Sequence, residues 1–582
     1  MNELWSNIRI VMGMRHKIQI AKLLFLMVAG ACLEVLGVSA ILPAISAILD
    51  KDFMNTNKYA DAVCTTFGIH THQGFVVICL LVLLAVFAVK NTVLLIKTHY
   101  HADFALEFQY EIRRQATHNY LKKNYAYYFT NNSSEIFKTL MDDVGKVYAT
   151  FDSVLKILTD GIICVFLFIA VFVIDWRISL IVFLLAMVLF LLLTKIARPA
   201  IRKSGEVSHG AQSIRNRWIH QALTGIKTVK ITRSEKFFEN KAYSSDLEYS
   251  EAEKKFLVLS DIPKMILEMF IVIIMVALVV MIAASGNNYE VIIPQMGAIG
   301  VAVLKLVPGI NSIISNVISI HYRIPAIQRV AEILGEKEGE EPAGEFPEVY
   351  HKGIEFRGIS FRYDEGSRYI FKDTDLFIPV GKMVGIKGPS GEGKTTFADI
   401  MLGLLHPEEG CVLVDGTDIY QNLEMWQKSI GYVTQNVFLL DDSVKANIAF
   451  GVNDEDVDED LLWESMKKAQ IDEFIKTLPD GVDTRVGERG VKFSVGQCQR
   501  IGIARALYER PQILIFDEAT SALDADTASA VIDSINELYG KHTIIVISHH
   551  ANALEHCDIV YTINDGTVRL LKRGEDHPMR RS

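Results

Sequence analysis

The most specific chemistry in this 582-residue sequence lies in Gly388-Pro389-Ser390-Gly391-Glu392-Gly393-Lys394-Thr395, followed by Thr396. The run follows an alternating strand pattern, Met383–Lys387, and opens a helical stretch, Thr395–Leu404, which is the setting of a P-loop. Glycines there let successive backbone N–H groups converge on a phosphate at a helix N-terminus. Lys394 is placed to reach the β- and γ-phosphates of ATP, and the Thr395 hydroxyl to ligate Mg2+. The bare pattern also occurs by chance; the strand before it and the helix after it make chance a poor explanation. A second signal is the apolar run Ile513-Leu514-Ile515-Phe516, which ends in Asp517-Glu518. A buried strand delivering two carboxylates at its tip directs Asp517 toward the metal side. It leaves Glu518 to take a proton from an attacking water. Two adjacent acids mean little alone; downstream of a P-loop they read as an ATPase pair.

Those residues need an α/β unit to hold them, and residues 347–582 carry its pattern. The rest of the chain has a different character. Half of all residues are hydrophobic and 22% charged, and the mean hydropathy of +0.24 is high for a soluble protein of this size. A net charge of −10 with no basic domain argues against nucleic acid as a partner. The cysteines at 32, 65, 79, 164, 411, 498 and 557 lack CxxC spacing, which disfavours a disulfide scaffold or a zinc site.

Six apolar segments precede the α/β unit: Ile20–Leu49, Gly74–Ile96, Ser153–Ile174, Ile178–Thr194, Met265–Ala284 and Val291–Ile320. A bilayer core needs about 20 helical residues, so residues 1–330 read as a polytopic α-helical membrane domain. Buried helices of a soluble domain are the alternative, and six such runs in succession are hard to hide in one core. Residues 1–17 read as an amphipathic surface helix instead of a cleavable signal. Lys and Arg concentrate between segments 2 and 3 and between segments 4 and 5, including Arg113, Arg114, Lys122, Lys123, Arg215, Arg217 and Lys230. That bias places the N-terminus and the ATP-binding unit in the cytoplasm. The polar stretches there, such as Ser134–Lys138, have helical periodicity and read as helices continuing out of the membrane. Residues 331–346 form the linker, and the 24 residues from Asp50 to Gln73 suit a short external element. Ionisable residues at or near membrane depth are expensive unless they face a partner or a wet cavity. Glu34, Lys90, Glu268 and Lys305 are therefore candidates for a polar substrate path, with Lys90 and Lys305 suited to an anionic group. A helix–helix ion pair or snorkelling is the competing reading.

Further motifs give the chain a family resemblance along essentially its whole length: it resembles an ABC exporter half-transporter, a six-helix membrane domain fused to a P-loop NTPase domain. Tyr363 in Phe361-Arg362-Tyr363 resembles the ring that stacks on adenine. Gln435, ending Gly431-Tyr432-Val433-Thr434-Gln435, resembles the glutamine that touches Mg2+ and senses the membrane domain. Ser494-Val495-Gly496-Gln497 resembles the signature, Asp524 the loop at the dimer interface, and His549 the switch histidine. The resemblance implies two ATP-binding domains closing head to tail, each ATP lying between one copy's P-loop and the other's signature. With one of each element, the chain is expected to form a homodimer. The family signature reads Leu-Ser-Gly-Gly-Gln, whereas here Phe493-Ser494-Val495-Gly496-Gln497 puts a β-branched residue at the first glycine. ATP hydrolysis is expected to persist, but slowed.

The membrane half also resembles the bacterial lipid-linked oligosaccharide flippases of protein glycosylation, notably in Ala302-Val303-Leu304-Lys305-Leu306-Val307-Pro308. That resemblance implies a polyprenyl-diphosphate glycan moved from the cytoplasmic to the outer leaflet of the inner membrane. Lys90, Lys305, Arg198 and Arg202 would then attract the diphosphate. The alternatives are a multidrug, lipid A or peptide exporter, and a non-translocating ATP-gated or regulatory half-transporter.

Overall fold

The computed structural model describes residues 17–49, 71–174, 176–285, 289–335, 342–364, 366–389, 391–487, 490, 492–519, 525–550, 552–564 and 566–573. The chain divides into two compact units, one running to Glu338 and the other from Gly339 onward, with Asn124–Ala126 grouped with the second.

Six long helices make up most of the first unit: α1 (Lys17–Leu49), α2 (His72–Leu121), α3 (Val144–Ile174), α4 (Trp176–Thr224), α5 (Glu235–Ser285) and α6 (Tyr289–Tyr322). Each contains one of the six apolar segments. The polar stretches beyond α2, α4 and α5's apolar parts continue the same helices, so these three run about 75 Å each at 1.5 Å per residue. Large apolar side chains stay exposed in their apolar parts, among them Leu84 and Val89 on α2, Leu191 and Leu192 on α4, and Val272 and Val276 on α5. An apolar surface of that extent is stable only against lipid. Buried clusters among the described residues tie the bundle together. Leu23, Phe104, Phe108, Phe151 and Val330 join α1, α2, α3 and the short α7 (Ile324–Gly335). Ile201, Leu267, Ile314 and Ile318 join α4, α5 and α6. Helix α7 extends into the expected linker, because Ala326, Ile327, Val330, Ala331 and Ile333 give it a buried apolar face. Residues 1–16 and 50–70, which carry the expected surface helix and most of the external element, lie outside the described residues.

In the second unit, β1 (Gly353–Phe361), β2 (Phe371–Pro379), β4 (Glu409–Val414) and β5 (Thr417–Asp418) form an antiparallel sheet in the order β2-β1-β4-β5. The other sheet runs β10-β9-β3-β8-β7-β6, built from β3 (Met383–Lys387), β6 (Ile430–Val433), β7 (Ile513–Asp517), β8 (Thr543–Ile547), β9 (Ile559–Asn564) and β10 (Thr567–Arg573). The neighbours from β9 to β6 pair in parallel. Strands covered on both faces read as unbroken apolar runs, as Ile513–Phe516 and Ile544–Ile547 do. Ile513, Ile515, Ile545 and Ile547 enter one core; Leu514, Phe516, Ile544 and Val546 enter the other. Parallel pairing aligns the carboxyl ends of β3, β8, β7 and β6 along one edge, and the loops leaving that edge carry the candidate site.

Candidate functional site

The P-loop leaves β3 and ends at α8 (Lys394–Met401). Gly391 and Gly393 have φ of +88° and +99°, and a Cβ on Gly393 would lie 2.6 Å from Ile370. Only glycine fits that turn. The Lys394 side chain is 7% exposed and donates to the carbonyls of Gly388 at 2.9 Å and Pro389 at 3.2 Å. Its ammonium also lies 3.3 Å from Glu518.

Glu518 follows β7 directly and takes a left-handed backbone, φ +48°, while its N–H donates to the Ile547 carbonyl at 2.8 Å. This turn sets its carboxylate between the loops of the two flanking strands. His549, after β8, places Nδ1 3.1 Å from one oxygen; Gln435, after β6, donates through Nε2 to the other at 3.3 Å. Strand order explains the grouping, since β7 lies between β8 and β6. Burial works to raise the Glu518 carboxyl, but the bonds to His549 and Lys394 outweigh it and hold it below the usual glutamate range. Asp517 goes the other way: burial, together with the Glu518 charge, raises it despite a 3.2 Å bond from the Tyr432 hydroxyl. Asp399, on α8, is pushed up to about 6 by burial and by Asp517.

The structure thus joins Gly388, Pro389, Lys394, Glu518, Gln435 and His549 in one hydrogen-bonded group, with Asp517 next to Glu518. Tyr363 is 48% exposed and its hydroxyl bonds Thr396 Oγ1 at 2.9 Å, which fixes the ring beside α8. Thr395 is exposed at the start of α8, Gly391 is exposed and Glu392 half-buried. Ser390 and Asp524 lie outside the described residues. The signature is built separately, at the head of α9 (Val495–Tyr508). Ser494 caps this helix in a reciprocal capping box: its hydroxyl accepts from Gln497 N–H and its own N–H donates to Gln497 Oε1. Val495 is the first helical residue, has no positive φ and is 55% exposed, so the backbone suits a β-branched side chain. Gly496 is buried behind it.

Tyr432 and Asp399 were missed in the sequence. Neither type nor spacing marks them; they meet Asp517 only because β6 and α8 flank β7. A Mg2+ ion fits the donors Thr395, Asp517 and Gln435, which offer hydroxyl, carboxylate and amide oxygens.

The membrane candidates separate. Lys90 pairs with Glu34 at 3.5 Å and lies over the Phe87 ring, so the helix–helix ion pair describes it in place of an open anion receptor. Glu268 and Arg198 are exposed, and Arg202 pairs along its own helix with Glu206 at 3.1 Å. Lys305 lies on α6, and its side chain falls outside the described ones.

A P-loop site with a carboxylate, a histidine and a glutamine on adjacent strand ends, carried on one chain with a bundle of lipid-facing helices, defines an ATP-driven membrane transporter. Comparison with known proteins places it further. Residues 371–521 match the ABC transporter family and residues 23–293 the ABC transporter transmembrane region. An ATP-dependent lipid A-core flippase of Saccharophagus degradans is 30% identical over 470 residues, 78% of this chain and 77% of the relative. One from Cupriavidus pinatubonensis is 28% identical over 450 residues, covering 76% and 75%. The heterocyst differentiation ATP-binding protein HepA of Nostoc is 27% identical over 449 residues, covering 76% and 72%. The solved structure of a bacterial Atm1-family ABC exporter with ATP bound shares the fold, with TM-score 0.78, 20% identity and coverage of 95% and 94%. The chain belongs to the ABC transporter family as an exporter-type half-transporter, an ATP-hydrolysing translocase of the membrane.

Proposed function

We propose that two copies of this chain flip a phosphorylated glycolipid from the cytoplasmic to the outer leaflet of a bacterial inner membrane, powered by ATP hydrolysis. The observation that carries the engine is the Glu518 carboxylate held by His549, Gln435 and Lys394. In this reading Lys394 exchanges its loop carbonyls and Glu518 for the β- and γ-phosphates, and Tyr363 stacks on adenine. Glu518, kept ionised by its partners, accepts the proton of the attacking water while His549 orients it. Thr395, Asp517 and Gln435 would hold Mg2+, which would supply positive charge against the phosphates. Ser494, Val495, Gly496 and Gln497 of each copy face the ATP of the other, with Asp524 at the same interface. The presence of Glu518, Gln435 and His549 in the sequence argues against a non-translocating regulatory role.

Two cargoes share the same chemistry, a lipid anchor and a phosphate-bearing sugar. The α6 stretch Ala302–Pro308 favours a polyprenyl-diphosphate oligosaccharide; the names of the relatives favour lipid A-core. Arg198, exposed on α4, and Lys305 on α6 are the residues offered for the phosphate. The test is reconstitution in liposomes with each labelled lipid, following ATP-dependent leaflet transfer. Transfer of the oligosaccharide lipid alone, or of lipid A-core alone, decides between them. Transfer of neither, or transfer that persists in Glu518→Gln, sinks the proposal.

A further inference from the structure

The carboxamide of Gln499, buried to 2% exposure on α9, lies outside the hydrogen-bonded group around Glu518. Its Nε2 donates to the Gln435 carbonyl at 2.6 Å and lies 3.5 Å from the Thr434 carbonyl. Two carbonyls can be faced only by the amide's donor end, which fixes its orientation. Among the described residues, the other end, Oε1, is buried without a hydrogen-bond partner. A methionine or leucine would fill the same space without burying an orphan acceptor. Packing therefore gives no reason for an amide here, whereas holding the Gln435 main chain does.

The grip extends along the same helix face. One turn on, Gly502 lets Val437 lie flush on α9: a Cβ there would come within 2.8 Å of Val437 Cγ2. One turn further, Arg505 donates to the Phe438 carbonyl at 2.8 Å and to the Asn447 carbonyl at 2.7 Å. Residues 499, 502 and 505 share a face at three-residue spacing. They seat the segment from Gln435 to Phe438 on the helix whose first turn is the signature.

We infer that Gln499 is a positioning residue for ATP hydrolysis, setting where the Gln435 side chain stands on Glu518 and tying that loop to the signature helix. The inference rests on reading Gln435 and Glu518 as ATP-site residues. Gln499 touches no phosphate, so losing it should lower turnover and leave ATP capture by the P-loop intact.

The test is steady-state ATPase kinetics of the full-length protein carrying Gln499→Met, Gln435→Ala, or both. Gln499→Met should reduce kcat about five- to tenfold, the effect of one misplaced hydrogen-bonding group. KM for MgATP should stay within about twofold. The double variant should be no slower than Gln435→Ala, because both changes act through one side chain. Losses that multiply, or a raised KM with kcat unchanged, overturn the inference. A Gln435→Ala protein at full rate overturns the reading beneath it instead. Gly502→Ala perturbs the same segment with Gln499 intact: kcat should fall, and Val437→Ala in the same protein should recover it by making room. A full rate in Gly502→Ala, or no recovery, also counts against the clamp.

Discussion

Val495→Gly restores the family's signature residue and tests what the valine does. In the subunit it is the first residue of α9, on helical backbone, with more than half of its surface open. Removing the side chain opens no core, and the propensity difference between valine and glycine is about 0.3–0.5 kcal/mol. Stability should therefore hardly change. The capping box uses the Ser494 oxygen as an acceptor and leaves its O–H free to donate to the partner copy of the proposed dimer. In the proposed dimer the consequence falls on Gly496, whose N–H would face the γ-phosphate of the other copy's ATP. A hydrogen bond to a charged group is worth about 1.5–3 kcal/mol. A β-branch beside it that costs a third of one such bond raises the barrier by about 0.5–1 kcal/mol, or about two- to fivefold in rate. Hydrolysis by the reconstituted protein at saturating MgATP, with the thermal midpoint measured alongside, is the assay. Val495→Gly should be faster by that factor with an unchanged midpoint. Equal rates at equal stability would refute the reasoning.

Two further outcomes test the membrane unit. Asp143 is fully buried and lies 3.0 Å from His209 Nε2 and 3.5 Å from Lys146. Burial acts to raise its carboxyl, but the His209 bond and the Lys138 and Lys146 charges hold it below the ordinary aspartate range. Asp143→Ala leaves that buried positive charge uncompensated, so stability should fall by about 3 kcal/mol, read as a lower thermal midpoint in detergent. A depressed carboxylate stabilises only while ionised, so the deficit should hold from about pH 7 to pH 5 and narrow below about pH 4. For the Lys90–Glu34 pair, Lys90→Met and Glu34→Gln should each lower the midpoint, and the double change Lys90→Glu with Glu34→Lys should recover most of it. Failure of the swap to recover would return Lys90 to the substrate path.

Much of this was legible because the physics is local. A strand buried on both faces must be apolar throughout, and a phosphate loop must be glycine-rich, so Ile513–Phe516 and Gly388–Lys394 declare themselves in one dimension. The partners of these residues do not. Gln499 meets Gln435 64 positions earlier, and Tyr432 meets Asp517 85 positions later. Each contact depends on strand order, which the pattern of one strand cannot encode. The same limit applies to Lys90, whose type and depth marked it as unusual while its partner depended on how α1 and α2 are rotated.

The stretch Ser134–Lys138 shows a different limit. Its periodicity read as a polar helix surface, yet Lys138 is almost wholly buried and Phe137 is 63% exposed. The next five residues, Thr139–Asp143, form a π-helical turn before α3 begins. A wider turn shifts the faces on either side of it, so a 3.6-residue period cannot be carried through. Arg113 donates to the Leu140 carbonyl within that turn at 3.2 Å. Lys138 then reaches α4, donating to the His209 carbonyl and to Ser213 Oγ, both at 2.8 Å. Burial lowers its ammonium to about 8 while the Asp143 charge opposes the fall. A buried lysine is tolerable only with such partners. Those partners come from α4 and from the turn itself, and no window of sequence around Lys138 holds the α4 half of that set.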